Sequence, residues 1–282
     1  MADLLFYLIS LFFTCAATTG FIIFVINQKK LIYKWSYRLL LVGFIAQTIF
    51  LLQQFIQLGA APVISLKSAF GFFSWTMIGA YLIFHLKFKL RVLGSFIVPL
   101  ATFFMIVSFS IPGQEIIKIK PAFQNLWLII HISTIFIGNG FFAITFISGV
   151  VYLIQEYQIK RKKIGPIYKR LPSLETLDSI NHRSLMYGFP FLTAGIITGA
   201  VFAQHLLGSY WRWAPKEVWT LITWLLYAAL LHERLAVGWR GRRAAILSII
   251  AFLILLFSFL GSSLWLSDYH SFSNLENRFI HE

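Results

Sequence analysis

Eight long runs of apolar residues constrain this chain more than any other feature of its sequence. A helix needs about 20 such residues to cross the roughly 30 Å hydrocarbon layer of a membrane, whereas a β-barrel shows alternating segments of about 10. The runs lie at 4–26, 39–58, 69–86, 92–111, 126–154, 185–207, 218–236 and 244–266. We therefore predict an all-α, polytopic membrane protein with about eight transmembrane helices, forming a single integral membrane domain over 1–282.

Composition excludes a soluble enzyme. Hydrophobic residues make up 59% of the chain and charged residues 12%, so most of its length cannot form a surface that faces water. The first run follows Asp3 and contains no Lys or Arg, which favours a retained span over a signal peptide. Cys15 is the only cysteine, so no disulfide or CxxC chemistry is available within the chain.

The basic residues predict the orientation of the helices. The connections 27–38, 87–91, 156–184 and 233–243 hold 18 of the 24 Lys and Arg residues. Because basic loops stay cytoplasmic, these connections define the predicted cytoplasmic side, and both termini are expected on the predicted outer side. This asymmetry and contact with anionic membrane lipid account for the formal charge of +14, so nucleic-acid binding is not expected.

Histidines gather at the two membrane boundaries. His131, His205 and His270 come from distant parts of the sequence to the predicted outer side, while His85 and His232 fall at the inner ends of helices three and seven. An ionisable group at membrane depth is a functional candidate, and imidazole is a common axial ligand of haem iron. The alternative is that each ring snorkels or hydrogen-bonds a helix backbone.

An aromatic cluster marks the connection between helices six and seven. Trp211, Trp213 and Trp219 lie within ten residues of each other, beside Arg212 and Lys216. Tryptophan is enriched at membrane interfaces in general, but this density also offers flat apolar faces for a planar macrocycle and cations for its carboxylates. The cluster is therefore a candidate binding site.

Two other patterns favour a structural role. Gly195 and Gly199 form a small-xxx-small motif that would let helix six approach a neighbouring helix closely. The hydrophilic stretch 155–183, which contains the basic residues 160–163, is expected to be a helix extension followed by a turn.

The stretch 177–239 resembles the CcsA/ResC cytochrome c biogenesis proteins, a family that handles haem. The segments that carry the resemblance are Asn181-His182-Arg183, Gly188 to Thr193, Gly195 to Val201, Tyr210 to Trp213, Pro215-Lys216-Glu217 and Leu221 to Leu225. The sequence departs from the family pattern at Leu207 and Ala214, where the family has Trp and Asp, and at Ser267-Asp268, where it has Pro-Gly. The resemblance predicts a haem-handling core over 120–282.

The resemblance implies roles for the candidate residues, with haem b as the substrate. His131 and His270 would be the axial ligands of haem iron on the predicted outer side, above a Trp-rich loop that cradles the macrocycle. His232 would serve haem entry on the other side, and we hypothesise that His85 completes that second iron site. Arg212 and Lys216 would pair with the haem propionates.

The function that follows is presentation of haem at the outer face for covalent attachment to apocytochrome c. The chain would then be a component of a holocytochrome c synthase of the System II type, in the bacterial cytoplasmic membrane, with a ResB/CcsB-like partner. One alternative is a HemX-like membrane regulator or scaffold of haem biosynthesis. Another is a transporter of an unrelated substrate, for which the sequence lacks convincing inverted repeats or broken helices.

Overall fold

The computed structural model describes residues 2–61, 63, 65–112, 124–162, 165 and 168–264, with the backbone alone at 2–3 and 260–264. These residues form eight α-helices and no strand: α1 (Ala2–Asn27), α2 (Lys30–Leu58), α3 (Leu66–Phe88), α4 (Arg91–Ser110), α5 (Leu126–Lys160), α6 (Leu174–Leu207), α7 (Pro215–His232) and α8 (Arg242–Leu264). Each helix is long and apolar enough to cross a membrane. The prediction of an eight-span, all-α membrane protein is confirmed.

The helices of the second half begin and end at residues that satisfy free backbone groups. Asn125 Oδ1 accepts from Trp127 N at 2.8 Å at the start of α5, and Ser173 Oγ accepts from Thr176 N at 3.2 Å at the start of α6. Gly208 ends α6 with a φ of 70°, a left-handed conformation that favours glycine. Pro215 occupies the first turn of α7, where its missing N–H costs nothing.

Several helices extend further toward the predicted cytoplasmic side than the apolar runs indicate. α2 begins at Lys30 rather than at 39, and α6 begins at Leu174 rather than at 185. Lys and Arg can lay their aliphatic stems along a helix while the charge reaches the interface, so helical structure continues beyond the apolar run. Within the stretch 155–183, α5 continues to Lys160 as the predicted helix extension and a 3₁₀ turn lies at Tyr168–Arg170, whereas the residues from Leu174 onward belong to α6.

Helix α5 lies at the centre of the packing. It packs most extensively on α6 and also contacts α3 and α8, while α1 pairs with α2 and α3 with α4. At Gly140, an added Cβ would lie 2.6 Å from the backbone oxygen of Thr76, so the α3 and α5 backbones touch there. Phe142 of α5 stacks on Tyr227 of α7, with ring centroids 3.6 Å apart. The candidate residues of α6 and α7 are therefore held against a rigid central helix.

Candidate functional site

The best-defined histidine of the predicted outer side is His131, in the second turn of α5. Its Nδ1 lies 2.6 Å from the backbone oxygen of Gly195 in α6. A carbonyl oxygen only accepts, so Nδ1 carries the proton and donates, and Nε2 keeps its lone pair. Nε2 makes no hydrogen bond to any residue that the structure describes. The imidazole thus presents the nitrogen that a metal ion would bind.

Two glycines of α6 make room for this ring. A Cβ added at Gly199 would lie 2.5 Å from His131 Nδ1, and one added at Gly195 would lie 2.5 Å from Ile135 Cδ1. Both neighbours belong to α5. The predicted close approach at the small-xxx-small motif is therefore confirmed, and α5 is the helix that approaches.

The loop between α6 and α7 is held by hydrogen bonds from its own residues. Arg212 Nη2 donates to Leu207 O at 2.7 Å, which satisfies a carbonyl at the end of α6. Glu217 Oε2 accepts from Arg212 N at 2.8 Å and from Ala214 N at 3.3 Å. Ala214 has no side-chain oxygen to return the contact, so only one half of a capping box is made.

Two tryptophans of this loop have features that packing alone does not explain. Trp213 is 70% exposed and has a φ of 58°, a left-handed conformation that is costly for a bulky residue. The Nε1 of Trp211 is buried and has no hydrogen-bond partner among the described residues. The two indoles meet edge to face at 5.9 Å. The Nε1 of Trp211 is one of eleven buried side-chain atoms without a partner among the described residues, and in this loop it is a donor that a bound ligand would satisfy.

The other tryptophans of this region serve helix packing. Trp219 meets Phe257 of α8 edge to face, with centroids 4.7 Å apart. Trp224 Nε1 donates to Thr193 Oγ1 of α6 at 3.0 Å. Trp219 was predicted to belong to the binding site. In the structure its ring packs on Phe257 of α8.

The loop and His131 belong to one region of the molecule. Lys216, in the first turn of α7, lies within electrostatic range of the His131 imidazole. Gly199, which contacts the same ring, is two helical turns before Leu207, where the loop begins. An anionic group bound near His131 would therefore meet the positive field of Lys216. His270, the second predicted ligand of this region, lies outside the described residues.

The two histidines predicted for the inner side lie in different surroundings. His85 is half-buried in a cage of three tyrosines, with Tyr33 Oη hydrogen-bonded to its Nε2 and with the rings of Tyr37 and Tyr81 within 5.7 Å. His232, the last residue of α7, is exposed. No contact joins the two residues in the part of the chain that the structure describes.

A buried ionic network next to His232 was missed by sequence reasoning. Arg234 lies in the π-helical turn Glu233–Val237 and donates from Nη1 and Nη2 to Asp178 Oδ1, both at 3.0 Å. Its Nη2 also donates to Asn181 Oδ1 at 3.1 Å. Asn181 in turn reaches α5 and α8 by donating from Nδ2 to Thr145 O and Ser248 Oγ. The sequence did contain a signal, since Arg234 falls inside the apolar run 218–236 and charged residues inside membrane spans normally pair with one another.

A cavity of about 440 Å³ opens beside this network, at the start of α6. Its wall includes Tyr152, His182, Trp239 and Arg240. The Nδ1 of His182 is buried without a partner among the described residues. Sequence reasoning placed His182 with the histidines of the predicted inner side, close to the start of helix six, and in the family resemblance, but gave it no role.

Comparison with known proteins identifies the family of this fold. The family model described as "Cytochrome C assembly protein" matches residues 63–270. The "Cytochrome c biogenesis protein CcsA" of Chlamydomonas reinhardtii is 36% identical over 220 residues, which is 76% of this chain and 61% of that protein. The CcsA protein of Trieres chinensis is 30% identical over 277 residues, covering 85% of this chain and 89% of the relative.

A solved structure supports the same fold. The "Cytochrome c Heme Lyase CcmF" superposes with a TM-score of 0.66 over 98% of this chain at 16% sequence identity. The present chain spans about half of the CcmF chain, 48% of its length, and less than two thirds of the Chlamydomonas relative. The family model matches residues 63–270, and a CcsA protein is 30% identical over 85% of this chain, so this chain belongs to the cytochrome c assembly protein family, as a CcsA-type cytochrome c biogenesis protein.

Proposed function

We propose that this protein binds haem on its predicted outer side and presents it for covalent attachment to apocytochrome c. One observation carries the proposal: His131 donates from Nδ1 to Gly195 O at 2.6 Å and leaves Nε2 without a partner among the described residues. Histidines that bind metals commonly donate their other ring nitrogen to a backbone carbonyl in this way. The imidazole is thus preorganised as an axial ligand for haem iron, with His270 proposed as the second ligand.

The loop supplies the remaining contacts that a porphyrin needs. The exposed indole of Trp213 offers a flat apolar face, and the buried Nε1 of Trp211 is a donor suited to a carboxylate. Arg212 and Lys216 provide cations that pair with propionates. Arg212 lies within the loop and Lys216 in the first turn of α7, so both cations come from the same short segment as Trp213.

Positioning is the main contribution of the protein to the reaction. In thioether formation, each cysteine S–H of the apocytochrome adds across one haem vinyl group, so an S–C bond forms and the hydrogen passes to the other vinyl carbon. The chemistry belongs to the haem and the thiols. A site that fixes the iron and the propionates also fixes the position of the vinyl groups. The reaction then needs no encounter between free haem and free apocytochrome, which lowers its entropic cost.

Haem entry from the predicted cytoplasmic side is proposed for His232. This residue is exposed at the end of α7, while Arg234, two residues later, is anchored by Asp178. An exposed imidazole on an anchored turn suits a site that a second protein completes, and a ResB/CcsB-like membrane protein is the proposed partner. His85 was hypothesised to share this site, but its Nε2 hydrogen-bonds Tyr33 within its own cage, so only its buried Nδ1 is left without a partner among the described residues.

The relatives described above favour a cytochrome c biogenesis function over the HemX-like alternative. They are cytochrome c biogenesis proteins and a haem lyase, so a HemX-like regulator finds no support among them. We propose haem b as the substrate and the bacterial cytoplasmic membrane as the location of this chain.

The proposal is tested by replacing His131 with alanine in detergent-purified protein loaded anaerobically with haem. The wild-type protein is expected to give a low-spin, bis-imidazole spectrum, and His131→Ala is expected to lose it. His205→Ala is the matched control, because His205 is exposed near the outer end of α6. Complementation of a strain lacking its cytochrome c synthase gives the functional readout. An unchanged spectrum in His131→Ala, or equal losses in both variants, contradicts the proposal.

A further inference from the structure

We infer that α6 sets the ligand nitrogen of His131, with Gly195 and Gly199 acting as positioning residues for haem binding. The Gly195 carbonyl fixes the proton on Nδ1, and the missing side chain at Gly199 admits the ring at the angle that this bond requires. The inference rests on the proposed haem-binding function. It adds the residues that determine which nitrogen faces the iron and how strongly that nitrogen donates.

The Gly195 carbonyl oxygen is available to a donor from α5. Within a helix this oxygen accepts from the N–H four residues later, at Gly199, and one lone pair remains. In an ordinary helix, the side chain four residues ahead shields such an oxygen from the side. Gly199 has no side chain, so the oxygen is open to α5, and His131 Nδ1 reaches it at 2.6 Å.

The imidazole of His131 has little clearance from α6. A Cβ at Gly199 would lie 2.5 Å from His131 Nδ1 and 2.6 Å from its Cε1. Real Cβ atoms do not approach other heavy atoms so closely, so even alanine would push the imidazole away from the carbonyl. One added methyl group at position 199 is therefore enough to displace the ring.

The hydrogen bond at Nδ1 also sets the strength of His131 as a ligand. An imidazole whose N–H donates to a strong acceptor becomes a more basic ligand through its other nitrogen. Thr198 Oγ1 donates its one hydrogen mainly to Ala194 O at 2.8 Å and also lies 3.1 Å from Gly195 O, where it competes weakly with His131 for the same oxygen. Weakening the His131 bond should make bound haem easier to reduce, and removing the Thr198 competitor should make it harder to reduce.

The decisive experiment compares Gly199→Ala with Gly43→Ala in haem titrations. Gly43 is another glycine inside a helix, and a Cβ there would lie 2.6 Å from Thr14 Oγ1, on helices that do not touch His131. Loss of a residue that orients a metal ligand typically weakens binding by about 10- to 100-fold. We expect that loss in Gly199→Ala, with a shift of the haem reduction potential to more positive values, and neither change in Gly43→Ala.

Two further measurements do not depend on the folding of Gly199→Ala. Thr198→Val keeps the side-chain shape, and its reduction potential is expected to shift to more negative values. In haem-free wild-type protein, ¹⁵N NMR of labelled histidine should show His131 protonated at Nδ1 and bare at Nε2. The signal is assigned by its absence in His131→Gln among the seven histidines.

The outcomes separate this inference from the proposed function. If His131→Ala loses the haem spectrum while Gly199→Ala binds haem with wild-type affinity and potential, the positioning role is wrong and haem binding stands. A proton on Nε2 in the haem-free protein also overturns the inference. If His131→Ala keeps the spectrum, the proposed function itself fails.

Discussion

Replacement of Asp178 by alanine is expected to lower the free energy of unfolding by about 3 kcal/mol, because it leaves the Arg234 guanidinium without its carboxylate inside the fold. Asp178 Oδ1 accepts from Arg234 Nη1 and Nη2, each at 3.0 Å, and from Gly241 N at 2.8 Å. The Arg234 side chain is only 3% exposed, and only water that enters from the cavity lined by Asp178 and Arg234 can replace part of the lost oxygen.

The magnitude follows from the contacts that are lost and those that remain. Breaking a buried ion pair by removing one partner costs about 3–5 kcal/mol. After the substitution, Arg234 Nη2 keeps the backbone oxygen of residue 178 at 2.9 Å and Asn181 Oδ1 at 3.1 Å. These neutral acceptors soften the loss, which places the expected cost at the lower end of that range.

An exposed pair of the same length provides the control. Arg242 Nη1 lies 3.0 Å from Glu156 Oε2, but the Arg242 side chain is 57% exposed. Exposed ion pairs contribute about 1 kcal/mol or less, since water screens the charges. Arg242→Met should therefore cost far less than Arg234→Met, although the two pairs have equal bond lengths.

The assay is reversible unfolding in mixed micelles, followed by helical circular dichroism, for Asp178→Ala, Arg234→Met and the double variant. Because the double variant leaves no unpaired buried charge, it should be more stable than the sum of the single losses predicts, with a coupling energy of up to about 3 kcal/mol. Strict additivity of the two losses, or an Arg234→Met loss equal to that of Arg242→Met, would refute the reasoning.

Three other substitutions give expected outcomes of known sign. Ala214→Asp supplies the missing N-cap oxygen of α7 and should raise the free energy of unfolding by about 1 kcal/mol, whereas Ala214→Val should not. Trp213→Gly relieves a left-handed backbone and should leave stability unchanged or raise it by about 1 kcal/mol while weakening haem binding in titrations; a large loss of stability would contradict this. Gly140→Ala forces a methyl group against the Thr76 backbone and should lower the thermal midpoint, unlike Gly165→Ala, which meets open space.

The number and order of the helices followed from the sequence because hydrophobic length is a local property. A run of about 20 apolar residues has one stable form in a membrane, whatever its neighbours are. The starts of α2 and α6 were placed too late, since charged residues at Lys30 and Glu175 continue a helix that hydropathy ends. Local composition therefore predicts a span well and its interfacial ends poorly.

The candidate site was predictable in its parts but not in its contacts. The unusual tryptophan density and the glycine spacing at Gly195 and Gly199 were visible in the sequence, and both coincide with features of the predicted outer side. The hydrogen bond from His131 to Gly195 was not visible, because it joins residues 64 positions apart. For the same reason the tyrosine cage of His85 could not be foreseen, although it changes what that histidine is able to bind.

Helix α6 connects the two sides of the molecule and limits how haem can pass between them. Asp178 anchors the turn next to His232, and Gly195 holds His131; a rise of about 1.5 Å per residue separates these two positions by about 26 Å. Haem cannot touch both ends at once, so a route through this chain requires the haem to move.

Pro190 lies between the two ends of α6, and proline weakens the helix where it removes a backbone hydrogen bond. If α6 is rigid, Asp178→Asn should not alter the affinity loss caused by Gly199→Ala, and the two effects on stability should add within about 0.5 kcal/mol. If Asp178→Asn does change the affinity loss caused by Gly199→Ala, the two ends of α6 are coupled, and Pro190 is the position at which the helix would bend. In that case haem delivery would be a coupled motion of the helix and not a transfer between two independent sites.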